Sequence, residues 1–130
     1  MSGEGKEGRL PPVAITLGDP AGVGPEVIVK ALAALEPSER TGLVVVGTRS
    51  VLERAACVTG ADISFHPRGE TAGAASVAIE EIAIDGLPLP FGKLDPVGGE
   101  AAFRYIERAV RLAQAGEAAG IVTAPINKEA

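Results

Sequence analysis

Val13-Ala14-Ile15-Thr16-Leu17-Gly18-Asp19-Pro20-Ala21-Gly22-Val23-Gly24-Pro25-Glu26 is the stretch on which the fold reading turns. An apolar, partly β-branched run breaks into a glycine-rich turn and resumes as an apolar pattern of helical period. A strand that passes through such a turn into a helix is the entry unit of a layered α/β sheet, and the turn sits at the sheet edge where these proteins bind ligands. Glycines 18, 22 and 24 permit positive φ and close backbone approach, and Pro25 suits a first helical turn, where no N–H is needed. The loop is not a Walker loop, because no lysine follows Gly22 or Gly24 before Lys30. It is not a dinucleotide fingerprint either, because Val27 stands where a third small residue is required. Asp19, Gly22 and Gly24 are therefore candidates for contact with an anion or a polar substrate. The competing readings are a plain structural turn, with Asp19 as an Asx-turn residue before Pro20 and Glu26 as an acid at the positive end of the helix.

Working outward, Val27, Ile28, Ala31, Leu32 and Leu35 predict one apolar face of a helix over residues 25–35. Leu43-Val44-Val45-Val46 reads as a strand buried on both faces and placed beside the first. A helix then runs through Val51, Leu52, Ala55 and Ala56 to Gly60, with Thr48 or Ser50 as its cap. Ile63-Ser64-Phe65 and residues 76–84 read as two further strands. The prolines and glycines between Asp85 and Gly99 predict a long loop. A strong helix follows, with Phe103, Ile106, Val110 and Ala113 as its inner face, Glu100/Arg104 and Glu107/Arg111 as i,i+4 pairs, and Gly116 as its stop. The last strand, Gly120 to Ala124, delivers Thr123, Asn127 and Lys128 to its carboxyl end. There a hydroxyl, an amide and a cation suit a phosphate or carboxylate, against the plainer reading of a strand residue, a cap and a solvated lysine. Pro125 opens a helix that the chain does not complete, which predicts truncation at the C-terminus. The expected organisation is a disordered leader over residues 1–10 and a partial α/β domain over 11–130.

With 46% hydrophobic residues in 130, but only three Phe, one Tyr and no Trp, the core must be aliphatic, which suits a parallel sheet covered by helices. A net charge of −5 without a basic run argues against nucleic acid, and no segment is apolar and long enough for a membrane. The single cysteine, Cys57, excludes an internal disulfide, fits a cytoplasmic protein, and reads as a small buried side chain. The single histidine, His66, reads as a strand-end or loop residue, and alone it builds neither a metal centre nor a catalytic triad.

The glycine motif, together with Val122-Thr123-Ala124-Pro125-Ile126-Asn127-Lys128-Glu129-Ala130, resembles the 4-hydroxythreonine-4-phosphate dehydrogenase family of pyridoxal phosphate biosynthesis. Gly92-Lys93-Leu94 and Gly98-Gly99-Glu100-Ala101-Ala102 look similar to it as well, so the resemblance extends from Val13 to the end. It implies an N-terminal portion of an isocitrate/isopropylmalate dehydrogenase-like fold, with NAD as hydride acceptor and a divalent metal such as Zn, Mg or Co. It further implies a homodimer and a small phosphorylated hydroxy-acid substrate that is oxidised and then decarboxylated. Family members are more than twice as long and carry their metal-binding histidines beyond this chain's last residue. The resemblance therefore assigns no catalytic or metal residue here. It leaves Asp19, Gly22, Gly24, Thr123, Asn127 and Lys128 as walls of the substrate cleft, in a chain expected to be inactive alone. The alternatives are a small phosphate- or carboxylate-binding module and a non-functional fragment.

Overall fold

The computed structural model describes residues 10–70, 73, 76–84 and 96–124. Among these, β1 (Val13–Thr16), β2 (Leu43–Gly47), β3 (Ser64–Pro67), β4 (Ser76–Glu81) and β5 (Gly120–Thr123) form one parallel sheet in the order β3-β4-β2-β1-β5. The helices are α1 (Gly24–Ala33), α2 (Pro37–Arg40), α3 (Arg49–Thr59) and α4 (Pro96–Gln114). Val44, Val45 and Val46 are fully buried because α4 covers one face of the sheet centre while α1 and α3 pack together on the other. That double cover is why β2 reads as an unbroken apolar run.

Helix ends follow local chemistry. Gly60 and Gly116 end α3 and α4 with φ of 72° and 78°, which any side chain would resist. Thr48 holds the N-cap position of α3 but caps nothing. Its hydroxyl donates to the Ile82 carbonyl at 2.7 Å and lies 2.6 Å from the Tyr105 hydroxyl, joining β2 to the end of β4 and to α4.

Several expectations change. The loop predicted over 85–99 gives way at Pro96, which opens α4, a helix of 19 residues. Proline is favoured at a helix start, and the two glycines that signalled a loop lie in the first turn. Residues 85–95, including Lys93, lie outside the described residues. The inner face of α4 is Ala101, Ala102, Tyr105, Ala109 and Leu112, whereas Phe103 is 64% exposed. Close packing on the sheet selected the small-residue stripe, and helical period alone does not rank two adjacent apolar stripes. In α1 the buried set is Ile28, Val29 and Leu32, while Val27 and Ala31 turn outward. Cys57 is exposed on α3 rather than buried.

Candidate functional site

The strand order places the candidate residues. β2 lies on one side of β1 and β5 on the other, so the direction of winding reverses between β1 and β5. The loops leaving two such strands diverge and open a crevice at their carboxyl ends. Thr16 pairs with Thr123 in register, and the Ala124 N–H donates to the Thr16 carbonyl at 3.1 Å. The two motifs, more than 100 residues apart in the chain, therefore leave the sheet side by side.

On the β1 side the chain turns sharply at Gly18, with φ of 78°. Asp19 then folds back: its Oδ1 accepts from the Ala21 N–H at 2.9 Å, and its carbonyl accepts from the Gly22 N–H at 3.0 Å. This is the Asx turn that Asp-Pro invites. Asp19 is only 4% exposed, and its carboxylate lies against the first turn of α4, where a Cβ on Gly98 would stand 2.7 Å from Oδ1. One buried carboxylate thus meets the amino end of α4, where the helix dipole favours negative charge. Neither Gly22 nor Gly24 has positive φ; Gly22 is half-buried in the turn and Gly24 is the first residue of α1, with Glu26 in its first turn.

On the β5 side Thr123 is exposed at the strand end, while Asn127 and Lys128 lie outside the described residues. Sequence reasoning passed over Thr16. Its hydroxyl is buried at the carboxyl end of β1 without a hydrogen-bond partner among the described residues, and a buried unpaired polar atom is rare. The available signal was a hydroxyl in an otherwise apolar strand.

An open depression of about 730 Å³ lies elsewhere along the same sheet edge, between Arg49, Ser50, Glu53, Pro67, Arg68 and Glu80. Its cations are already held: Arg49 by Glu53 at 3.0 Å, and Arg68 by Glu80 at 2.8 Å and Glu117 at 3.0 Å. His66 is in β3 with Nδ1 2.6 Å from the Ser76 hydroxyl. Among the described residues no three His, Cys, Asp or Glu side chains converge as a metal site. These residues do not fit a divalent ion, and no step is assigned to one through them. None of the described helices is long and apolar enough to cross a membrane.

Residues 39–130 match the family model described as pyridoxal phosphate biosynthetic protein PdxA. The chain belongs to the PdxA family. It is 44% identical over 125 residues to the D-threonate 4-phosphate dehydrogenase of Cupriavidus necator, a match covering 93% of this chain and 38% of that protein. It is 40% identical over 121 residues to the 4-hydroxythreonine-4-phosphate dehydrogenase of Erythrobacter litoralis, covering 90% and 36% respectively. A crystal structure of a 4-hydroxythreonine-4-phosphate dehydrogenase from Burkholderia phymatum superposes with a TM-score of 0.81 at 39% identity, over 92% of this chain and 38% of that one. The fold is thus that of the N-terminal portion of PdxA proteins, and the chain spans less than two fifths of the length of these relatives.

Proposed function

We propose that this chain is the N-terminal portion of an NAD- and divalent-metal-dependent dehydrogenase that oxidises and then decarboxylates a small phosphorylated hydroxy acid of the 4-phosphooxy-threonine or D-threonate 4-phosphate class. The work is that of a cytoplasmic homodimer when the remaining length is present, and the chain by itself is inactive. Its own contribution is the crevice between β1 and β5. Asp19, Gly22 and Gly24 shape one wall and Thr123, Asn127 and Lys128 the other, with the Lys128 ammonium drawing the phosphate.

The observation that carries this reading is the Thr16–Thr123 register, which brings the two family motifs to one switch point. The amino ends of α1 and α4 meet the same loop, through Gly24 and through the Asp19–Gly98 contact; that of α4 already faces the Asp19 carboxylate, which leaves the amino end of α1 to favour an anionic ligand. The Thr16 hydroxyl, buried and without a partner among the described residues, adds a polar group there.

The test is a chimera of this chain with the rest of the Cupriavidus necator relative, assayed for substrate-dependent NADH formation with a divalent metal. Turnover of D-threonate 4-phosphate or 4-phosphooxy-threonine, with about tenfold or greater loss in kcat/KM for Lys128→Ala, is the expected result. A folded chimera that reduces NAD with neither substrate overturns the reading.

A further inference from the structure

The three arginines of α4, Arg104, Arg108 and Arg111, stand at i, i+4 and i+7. At about 3.6 residues per turn, that spacing confines them to an arc of about 60° on one side of the helix. Beside them Ile82, just past the end of β4, closes a recess of about 150 Å³ whose other walls are these arginines and Glu107. The chain as a whole carries a net charge of −5, so three cations round one small recess are a local feature and not a property of the surface at large.

Their acidic neighbours leave most of this charge unspent. The Glu100–Arg104 pair that i,i+4 spacing predicts does not close, and Arg104 makes no ion pair among the described residues. Arg111 is met by Glu107 at 3.7 Å with both side chains half exposed or more, a weak pair. Arg108 Nη1 donates to Glu80 at 2.7 Å, which anchors the guanidinium against the sheet while its other N–H groups remain. Arg68, by contrast, is held between Glu80 and Glu117. Ile82 supplies only the floor. It is 5% exposed, its N–H donates to the Gly47 carbonyl at 2.8 Å, and its carbonyl accepts from the Thr48 hydroxyl at 2.7 Å.

Recognition in this recess therefore falls to the guanidinium groups, whose rigid forks of N–H donors match the oxygens of an oxyanion. A volume of about 150 Å³ is the share of about five waters in the liquid, room for one tetrahedral ion with some of its water. The nearly wholly polar wall offers nothing to an organic tail. We propose that Arg104, Arg108 and Arg111 form a binding site for a phosphate dianion. Arg108 is its fixed member, Arg104 and Arg111 close on the ion, and Glu107 gives way toward solvent. Bound phosphate offsets the repulsion among the three cations and so stabilises the folded chain. In the sheet order β2 stands between β4 and the β1–β5 crevice, so this site is separate from that crevice and does not rest on the dehydrogenase reading.

The test is a titration of the 130-residue chain with inorganic phosphate near neutral pH, read by calorimetry and by Tm, beside sodium chloride at matched ionic strength. Saturable binding and a rise in Tm that chloride does not reproduce are expected. Arg104→Gln and Arg111→Gln should each weaken phosphate about fivefold or more, and Lys128→Ala should leave it unchanged. Phosphate binding that is lost in Lys128→Ala and kept in the arginine variants puts the ion in the β1–β5 crevice; that result overturns this proposal while supporting the function proposed above. Equal effects of phosphate and chloride, or arginine variants that bind as the unaltered chain does, overturn it too. Should the chain alone not fold, the same comparison is made in the chimera carrying Lys128→Ala. There a phosphate-dependent rise in Tm that Arg104→Gln combined with Arg111→Gln diminishes supports the site, and an undiminished rise overturns it. Neither readout involves NAD reduction, so an inactive chimera leaves this test intact.

Discussion

Gly98 shows how a residue type can be dictated from outside its own element. Alanine in a helix ordinarily stabilises by about 1 kcal/mol relative to glycine. Here the new methyl would stand 2.7 Å from Asp19 Oδ1, an atom already held by the Ala21 N–H. Gly98→Ala is therefore expected to destabilise by about 1–3 kcal/mol, the usual cost of overpacking, as read by denaturant unfolding. Adding Asp19→Gly should make the second effect less than additive, because the two residues share one contact. Tyr105 makes a parallel case. Burial outweighs its hydrogen bond to Thr48 and pushes the phenol up to about 12. A raised value means that the neutral phenol is favoured in the folded protein. Its contribution is complete below the ordinary value of 10.0 and is lost as pH rises toward 12. Tyr105→Phe is expected to cost about 1 kcal/mol near neutral pH and to flatten the alkaline limb of the stability curve. Neither contact was legible in the sequence, because Asp19 in the turn after β1 and Gly98 in the first turn of α4 belong to distant elements and Thr48 and Tyr105 lie 57 positions apart.

Helices were legible as elements, yet their faces and ends were settled by neighbours. The C-terminus of α1 carries no glycine stop; instead the buried Arg40 of α2 folds back on it. Arg40 Nε donates to the Leu32 carbonyl at 3.0 Å and Nη2 to the Ala33 carbonyl at 3.1 Å. Arg40→Met keeps the apolar stem but strands those carbonyls. A loss of about 1–3 kcal/mol in denaturant unfolding is expected, only partly restored by Arg40→Lys, whose single ammonium cannot span both acceptors. The helix expected over residues 25–35 runs slightly past Ala33, where α1 ends, and the sequence does not show what holds that end. Of the i,i+4 pairs anticipated on α4, Glu107–Arg111 closes at 3.7 Å on the exposed side, where such a pair contributes little.

Across the whole molecule, Glu80 ties one side of the sheet to α4. Its carboxylate accepts from Arg68 at 2.8 Å and Arg108 at 2.7 Å, and Arg68 reaches on to Glu117 beyond the helix. Burial alone would raise the pKa of Glu80, but the hydrogen bonds and charges of the two arginines together outweigh it and hold the group below its ordinary 4.5. A lowered value means stability that is fully present above 4.5 and lost as pH falls through the lower folded value. Glu80→Gln should reduce stability near neutral pH and shrink the difference between neutral and acidic unfolding midpoints. An unchanged acid limb would remove Glu80 from this role.

The sequence by itself determined the main element types, the parallel α/β class and the glycine-rich turn after the first strand, because strand and helix periods and glycine turns are local properties of consecutive residues. It placed Asp19 and Thr123 at loop mouths for the same reason. Only the tertiary structure decided which stripe of α4 meets the sheet, that Cys57 is exposed, that Asp19 seats against Gly98, and that Thr16 and Thr123 share a register. Those outcomes depend on which distant surfaces come together, and no window of neighbouring residues contains that information.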